Sequence, residues 1–323
     1  MNDFDVEFLL NRIFVGSLFF YFKNDLYELK YATNNIKYHA NLIYDNILHE
    51  ERFNDWIREE NMIHHMVSAG LWTYQTDSLI TKLEKQIEDL KVDLFKSYLA
   101  PDKQKTFRKS LNNARYNLGN ILSKKQEFLT HTLEGYALSI KNEYIICNTL
   151  YKNNKQIFDN NSKDFKSYSY FNDIVNEINK HNITLEQFKF VARSSLWRSY
   201  WNANKNNIFS NQVIDWTDDQ RTLVNISRMY DNVYENPDCP SDEVINDDDM
   251  LDGWMIMQRR KTEKEKKTKN FDELNPHVKN AGEVFVMTKG SDAFEDVMSM
   301  NSPEAIMKQN KTFETIKDKI KAK

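Results

Sequence analysis

The chain reads as a mainly α protein: a long antiparallel helical hairpin, a small β-hairpin before it at the N-terminus, and a second helical region after it. Three observations predict this. Ile80, Leu83, Ile87, Leu90 and Leu94 step by threes and fours, the apolar seam of a helix packed along another helix. Two capping boxes, Thr184 with Gln187 and Thr217 with Gln220, mark helix starts in the second half. The seven glycines stand isolated at positions 16, 70, 119, 135, 253, 282 and 290, about a third of the usual share, so no phosphate-cradling loop can be assembled.

In chain order, Leu18-Phe19-Phe20-Tyr21-Phe22 and Leu26-Tyr27-Glu28-Leu29-Lys30-Tyr31 flank the polar Lys23-Asn24-Asp25, which predicts a β-hairpin, with a buried helix as the competing reading. From 36 to 69, Ala40, Ile43, Tyr44, Ile47, Leu48, Phe53, Trp56, Ile57, Ile63 and Val67 follow helical spacing, as one long helix or two abutting ones, closed by Gly70 as C-cap. The seam helix then begins with Asp77 as N-cap and carries Lys82, Glu84, Lys85, Glu88 and Lys91 on its solvated face. Ala100-Pro101-Asp102 breaks it and starts its partner, whose seam is Phe107, Leu111, Ala114, Leu118, Ile121 and Phe128. No strong breaker follows through Leu133, Tyr136, Ile140, Tyr144, Cys147 and Tyr151, so this second helix is expected to form a rod of about 50 residues, roughly 75 Å, bent at Gly119 or Gly135.

These elements divide the chain into a first domain at 1–152, an Asn-rich polar linker at 153–169, a second helical domain at 170–270 and a tail at 271–323. Asn236-Pro237-Asp238-Cys239-Pro240 breaks the second domain ahead of a helix at about 249–267, with acids at its start and bases at its end. The tail offers a strand-like run, Glu283-Val284-Phe285-Val286-Met287, and a last helix opened by Ser302-Pro303-Glu304.

Aromatics at 13% and apolar residues at 40% predict a packed core. The net charge of −4 supplies no global field toward nucleic acid or anionic membrane. Cys147 and Cys239 lack zinc-site spacing and read as free thiols. The most apolar stretch, 13–22, is about half the length of a bilayer-spanning helix, and the acidic Met1-Asn2-Asp3-Phe4-Asp5 is no secretory leader. Cytoplasm is therefore the expected compartment, with no membrane partner.

No nucleophile elbow and no Glu-x-x-His di-iron motif occurs, so no enzyme, cofactor, catalytic residue or metal ligand is assigned. Glu60 with His64, Glu127 with His131, and His131 with Glu134 share helix faces, which reads as ordinary surface contact. The acids Asp247, Asp248, Asp249 and Asp252 read as capping and dipole complement rather than a calcium loop, whose ligands alternate. Arg193, Trp197, Arg198 and Trp201, with Lys205 a turn on, have the composition of a single-strand nucleic-acid contact, although Phe190, Trp197 and Trp201 equally make a buried helical stripe. For protein binding the expected element is the helix carrying Trp254, Met255, Met257, Arg259, Arg260 and Lys261: an aromatic anchor and flexible methionines with a basic margin. The alternative is that Trp254 lies in its own domain's core.

Three blocks, Thr132-Leu133-Glu134-Gly135-Tyr136-Ala137, Leu196-Trp197-Arg198-Ser199-Tyr200-Trp201-Asn202 and the run from Asp248 through Trp254 to Arg260, are similar in texture to virion-assembly proteins of large tailed bacteriophages. The Asn- and Lys-rich vocabulary also resembles that of AT-rich phage genomes. The resemblance implies a non-enzymatic factor such as a tail assembly chaperone or scaffold, holding the tape-measure protein or other tail proteins in the host cytoplasm. Its rival implication is a permanent tail, neck or baseplate component, since the chain is longer than many such chaperones. Further copies of the chain are a second expected partner. The resemblance carries no site residues.

Overall fold

A helix face of Val6, Leu9, Leu10 and Ile13 opens the chain, spaced at i, i+3, i+4 and i+7. In the computed structural model, which describes residues 3–158, 166–205 and 207–274, this face belongs to α1 (Asp3–Val15). Gly16, at φ +71, ends α1, and a Cβ there would lie 3.0 Å from Thr217 Cγ2. The apolar stretch 13–22 is thus the end of one helix joined to a strand, and the division falls at Gly16-Ser17.

The expected β-hairpin follows as β1 (Ser17–Phe22) and β2 (Asp25–Lys30), closed by Lys23 and Asn24, both at positive φ, as the twist-matched two-residue turn requires. It is half of a larger sheet. Beyond the helices described below, β3 (Leu150–Lys152) and β4 (Lys155–Gln156) extend it in the antiparallel order β1-β2-β3-β4. Asn153 and Asn154 make the second such turn at φ 51 and 61, so the Asn-rich sequence expected to begin a linker is a hairpin loop, using asparagine's tolerance of the left-handed region.

Between the sheet's halves lie α2 (Asn34–His49), a short 3-10 turn at Glu51–Phe53, α3 (Glu59–Ser68), α4 (Tyr74–Lys96), α5 (Pro101–Leu129) and α6 (Leu133–Thr149). The region 36–69 is therefore two helices, and Gly70 closes the second at φ +72. The helical hairpin is α4 against α5, with Leu83, Leu94, Leu111 and Ala114 buried along the seam. Thr73, not Asp77, caps α4; its hydroxyl accepts from Thr76 N–H at 3.2 Å. Asp77 instead accepts from Lys125 Nζ (2.7 Å) and Trp72 Nε1 (3.2 Å), tying α4 to α5.

The expected 50-residue rod is broken at residues 130–132. Thr132 caps a new helix by accepting from Gly135 N–H at 3.1 Å, and Leu133 N–H is drawn off to Ile57 O at 3.0 Å. A Cβ on Gly135 would lie 2.4 Å from Leu129 O, so this tight connection admits only glycine. Freed from α5, helix α6 packs on α2 around Ile47, Phe53, Leu133 and Ala137.

The second half comprises α7 (Lys166–Lys180), α8 (Leu185–Arg193), α9 (Ser195–Asn204), α10 (Asp218–Tyr234), α11 (Asp242–Ile245) and α12 (Asp248–Leu274). Both capping boxes form, at the starts of α8 and α10. The apolar face of α1 is buried among Phe188, Val191, Trp197, Leu223, Tyr230, Leu251 and Trp254 of these helices. A second core joins Leu18, Phe20 and Tyr27 of the sheet to Phe171, Ile174 and Ile178 of α7.

Residues 1–258 consequently form one compact unit, and the division into 1–152 and 170–270 runs through shared cores. Arg259–Lys323 form a second unit, of which 259–274 are described, as helix. The strand-like run at 283–287 and the helix expected after Ser302 lie outside the described residues. Among the described residues no helix is long and apolar enough to cross a membrane.

Candidate protein-interaction face

Trp254, expected to anchor a partner, is not at the surface. It is 4% exposed and belongs to the core built around α1, α8, α9 and α10. The cause is Gly253: a Cβ there would stand 2.1 Å from Lys91 O, so α12 lies directly against α4 and carries its neighbour Trp254 inward. Met255 and Met257 are half-buried against the same core. Arg259, Arg260 and Lys261 belong to the unit that begins at Arg259, where Arg259 Nε lies 3.9 Å from Glu263. A glycine within a helix costs about 1 kcal/mol relative to alanine, and beside a tryptophan it was the available signal of close helix packing.

The basic-aromatic cluster is likewise internal. Trp197 is fully buried and donates through Nε1 to Ser227 Oγ at 2.7 Å, while its ring stacks near Trp201 and Phe209. Arg198 donates to Asp231 Oδ1 at 2.7 Å, Trp201 Nε1 to Asp231 Oδ2 at 2.8 Å, and Lys205 Nζ lies 3.0 Å from the same carboxylate. Burial pushes the Asp231 carboxyl up, but these donors outweigh it and hold it below the usual range. Arg193 donates to Tyr230 Oη (2.9 Å), to Ile245 O (3.2 Å) and to Asp248. Rings that are buried cannot stack on bases, and these arginines already face carboxylates, so Arg193, Trp197, Arg198 and Trp201 stabilise the fold.

The four acids at the start of α12 do more than cap it. Asp247 accepts from Met250 N–H at 3.0 Å, as a cap does, and from Arg108 of α5 at 2.6 Å. Asp249 takes both arms of Arg115 of α5, Asp248 takes Arg193 of α8, and Asp252 takes Lys91 of α4 (2.6 Å) and Lys189 of α8 (3.0 Å). Burial raises the Asp252 carboxyl, yet its two lysines overcompensate and leave it depressed. This acidic turn joins α4, α5 and α8 to α12, which accounts for the acids without a cation.

Among the described residues no three His, Cys, Asp or Glu side chains assemble as a metal cage. Burial pushes the Cys147 thiol up to about 11, away from nucleophilic use. A cavity of about 300 Å³ between α1, the sheet, α6 and α10 is lined by charged groups that answer one another: Lys37 lies 3.0 Å from Asp218 and Arg12 3.8 Å from Asp219.

Apolar side chains stand exposed at several places, among them Phe8, Leu99 and Tyr116, and on β1 they coincide with a sheet edge. Along β1 the side chains alternate, with Leu18 and Phe20 buried and Phe19 and Tyr21 50% and 72% exposed. Phe19 lies opposite Glu28 and Tyr21 opposite Leu26, itself exposed, so two aromatics and a leucine share the outward face. β1 is also the end strand. Edge strands are usually blunted by charge, proline or a bulge, whereas Ser17-Leu18-Phe19-Phe20-Tyr21-Phe22 contains neither charge nor proline. The alternation was readable in the sequence; that the outward set would stay uncovered depends on which strand ends the sheet. Compared with family models, curated proteins and solved structures, the chain has no match in any of the three.

Proposed function

We propose that this chain is a non-enzymatic, protein-binding component of bacteriophage particle assembly, of the tail assembly chaperone or scaffold kind, acting in the host cytoplasm. The observation that carries the binding reading is the uncharged edge strand β1, with Phe19 and Tyr21 turned outward, while the Trp197, Trp201 and Trp254 rings are buried in the core. An edge of this kind recognises an extended segment through main-chain hydrogen bonds, with outward side chains adding specificity. The phage setting rests on the resemblance of three sequence blocks alone. A permanent tail, neck or baseplate role draws on a different feature, the hairpin of 23- and 29-residue helices, whose connection leaves Tyr98 and Leu99 exposed.

The test places a photo-crosslinking side chain at position 21 in infected cells, with a control at the exposed Glu84 of α4. The expected result is crosslinking to one virion structural protein from position 21 and not from position 84. A chaperone's crosslink is absent from finished particles, and a permanent component's persists in them. No crosslink from position 21, or equal labelling from both positions, overturns the proposal.

A further inference from the structure

Deepening the binding reading just given, and resting on it, we infer that the edge of β1 accepts a second copy of this chain, β1 against β1 in antiparallel register about Phe19. Hydrogen-bond parity decides which backbone groups of β1 are open. A two-residue turn makes its flanking residues, Phe22 and Asp25, a hydrogen-bonded pair, and such pairs recur at every second position: Phe20 with Tyr27 and Leu18 with Leu29. The intervening residues Ser17, Phe19 and Tyr21 therefore send N–H and C=O away from β2. β3 agrees: its own two-residue turn makes Lys152 and Lys155 a bonded pair, so Tyr151 sends its groups to β2, where it is registered with Glu28, the residue not bonded to β1.

Three outward residues define the partner. In antiparallel pairing, a two-fold axis through Phe19 sets Phe19 opposite Phe19 of the other copy and Ser17 opposite Tyr21, so every outward group on both strands meets another outward group. Shifting the register by two in either direction leaves one outward residue of each strand beyond the ladder of Ser17–Phe22. The same pairing sets Glu28, Phe19 and their symmetry mates in one row across four strands, with the aromatic pair at its centre. With no charge on β1, no like charges are brought together within the ladder. The pairing is isologous and closed, as the commonest soluble homodimers are.

The open area sets the strength. Side chains stand out from a sheet, so a strand added at its edge covers only the flanks of the exposed Phe19 and Tyr21, well below the about 1,000 Å² of a persistent interface. The dimer is weak and reversible, which leaves the edge free to exchange its second copy for another strand.

Sedimentation velocity over a concentration series tests this, using the full chain and the Phe19→Lys and Phe19→Glu variants. Wild type is expected to dimerise with concentration. Each variant alone sets like charges face to face and raises the dissociation constant about tenfold or more, while an equimolar mixture of the two dimerises again. Should either variant unfold by circular dichroism, Phe19→Cys replaces it: oxidised chains join through position 19, and Phe8→Cys chains, altered at an exposed site on α1, do not join through position 8. Wild type that stays monomeric throughout, or variants that self-associate as wild type does, overturn the inference. A monomeric wild type with a position-21 crosslink to another protein ends the self-pairing and leaves the binding reading standing.

Discussion

Gly253 and Gly119 both sit inside helices, and alanine at the two positions is expected to act with opposite signs. In an open helix Gly→Ala stabilises by about 0.4–1 kcal/mol, because alanine restricts the unfolded chain without cost to the fold. Gly119 on α5 has nothing within 4 Å of its would-be Cβ and should show that gain. At Gly253 the added carbon would stand 2.1 Å from Lys91 O, 2.6 Å from Lys91 C and 3.1 Å from Phe95 Cβ, all on α4. Ordinary contact begins at 3.4 Å, so α12 and α4 must separate by more than 1 Å, against backbone that cannot turn aside. That separation pulls Asp252 off Lys91 and opens the packing around Trp254. Overpacking typically costs about 1–3 kcal/mol, and loosening the partly buried ion pair adds to it, for a total of about 3–4 kcal/mol. Urea unfolding of Gly253→Ala and Gly119→Ala beside wild type reads both. A Gly253→Ala midpoint at or above wild type would refute the close α4–α12 contact and the placement of Trp254 that follows from it.

Other expectations follow from the same architecture. Trp254→Ala should cost about 3–5 kcal/mol in chemical denaturation, the range for a buried aromatic truncation, whereas a surface anchor would leave the midpoint unchanged. Asp252 has a folded-state pKa below its unfolded value, so its contribution to stability is present above the ordinary carboxylate range and is lost as pH falls through the depressed value. Asp252→Asn should accordingly lower stability at neutral pH and flatten the acid limb of a stability-against-pH curve; an unaltered acid limb would contradict the pairing with Lys91 and Lys189. Single-stranded nucleic acid should bind no tighter than about micromolar at physiological salt, and a salt-steep, submicromolar interaction would contradict the internal pairing of Arg193 and Arg198.

Features that depend on local pattern were legible in the sequence. The α4–α5 seam, both capping boxes, the N-terminal β-hairpin and the helix that became α12 were all written in spacing and cap residues. Features decided by contact between distant segments were not. The break before α6 depends on Leu133 bonding to Ile57 and on Gly135 passing under Leu129 O, neither of which alters the apolar period. The helix α1 was missed although its apolar positions 6, 9, 10 and 13 keep helical spacing and Gly16-Ser17 separates it from the strand, because 13–22 reads as one apolar stretch. Trp254 and Arg193 carried the composition of an interface, yet composition is silent on whether an aromatic faces solvent or core, and here Gly253 and the acids at 247–252 decide it. The aromatic alternation of β1 was visible; its edge position was not, because β3 and β4 add to β2 from more than a hundred residues away.

The central claim, that β1 is the binding edge, is tested most directly by hydrogen exchange on the chain alone in dilute solution and on the chain saturated with the protein crosslinked from position 21. Free, the amides of Phe19 and Tyr21 should exchange quickly while Phe20 and Phe22, bonded to β2, exchange slowly. Bound, Phe19 and Tyr21 should become protected while the α12 amides around Trp254 stay as they were. Protection confined to residues 254–258 or to the α4–α5 connection, with Phe19 and Tyr21 still exchanging freely, would contradict the account.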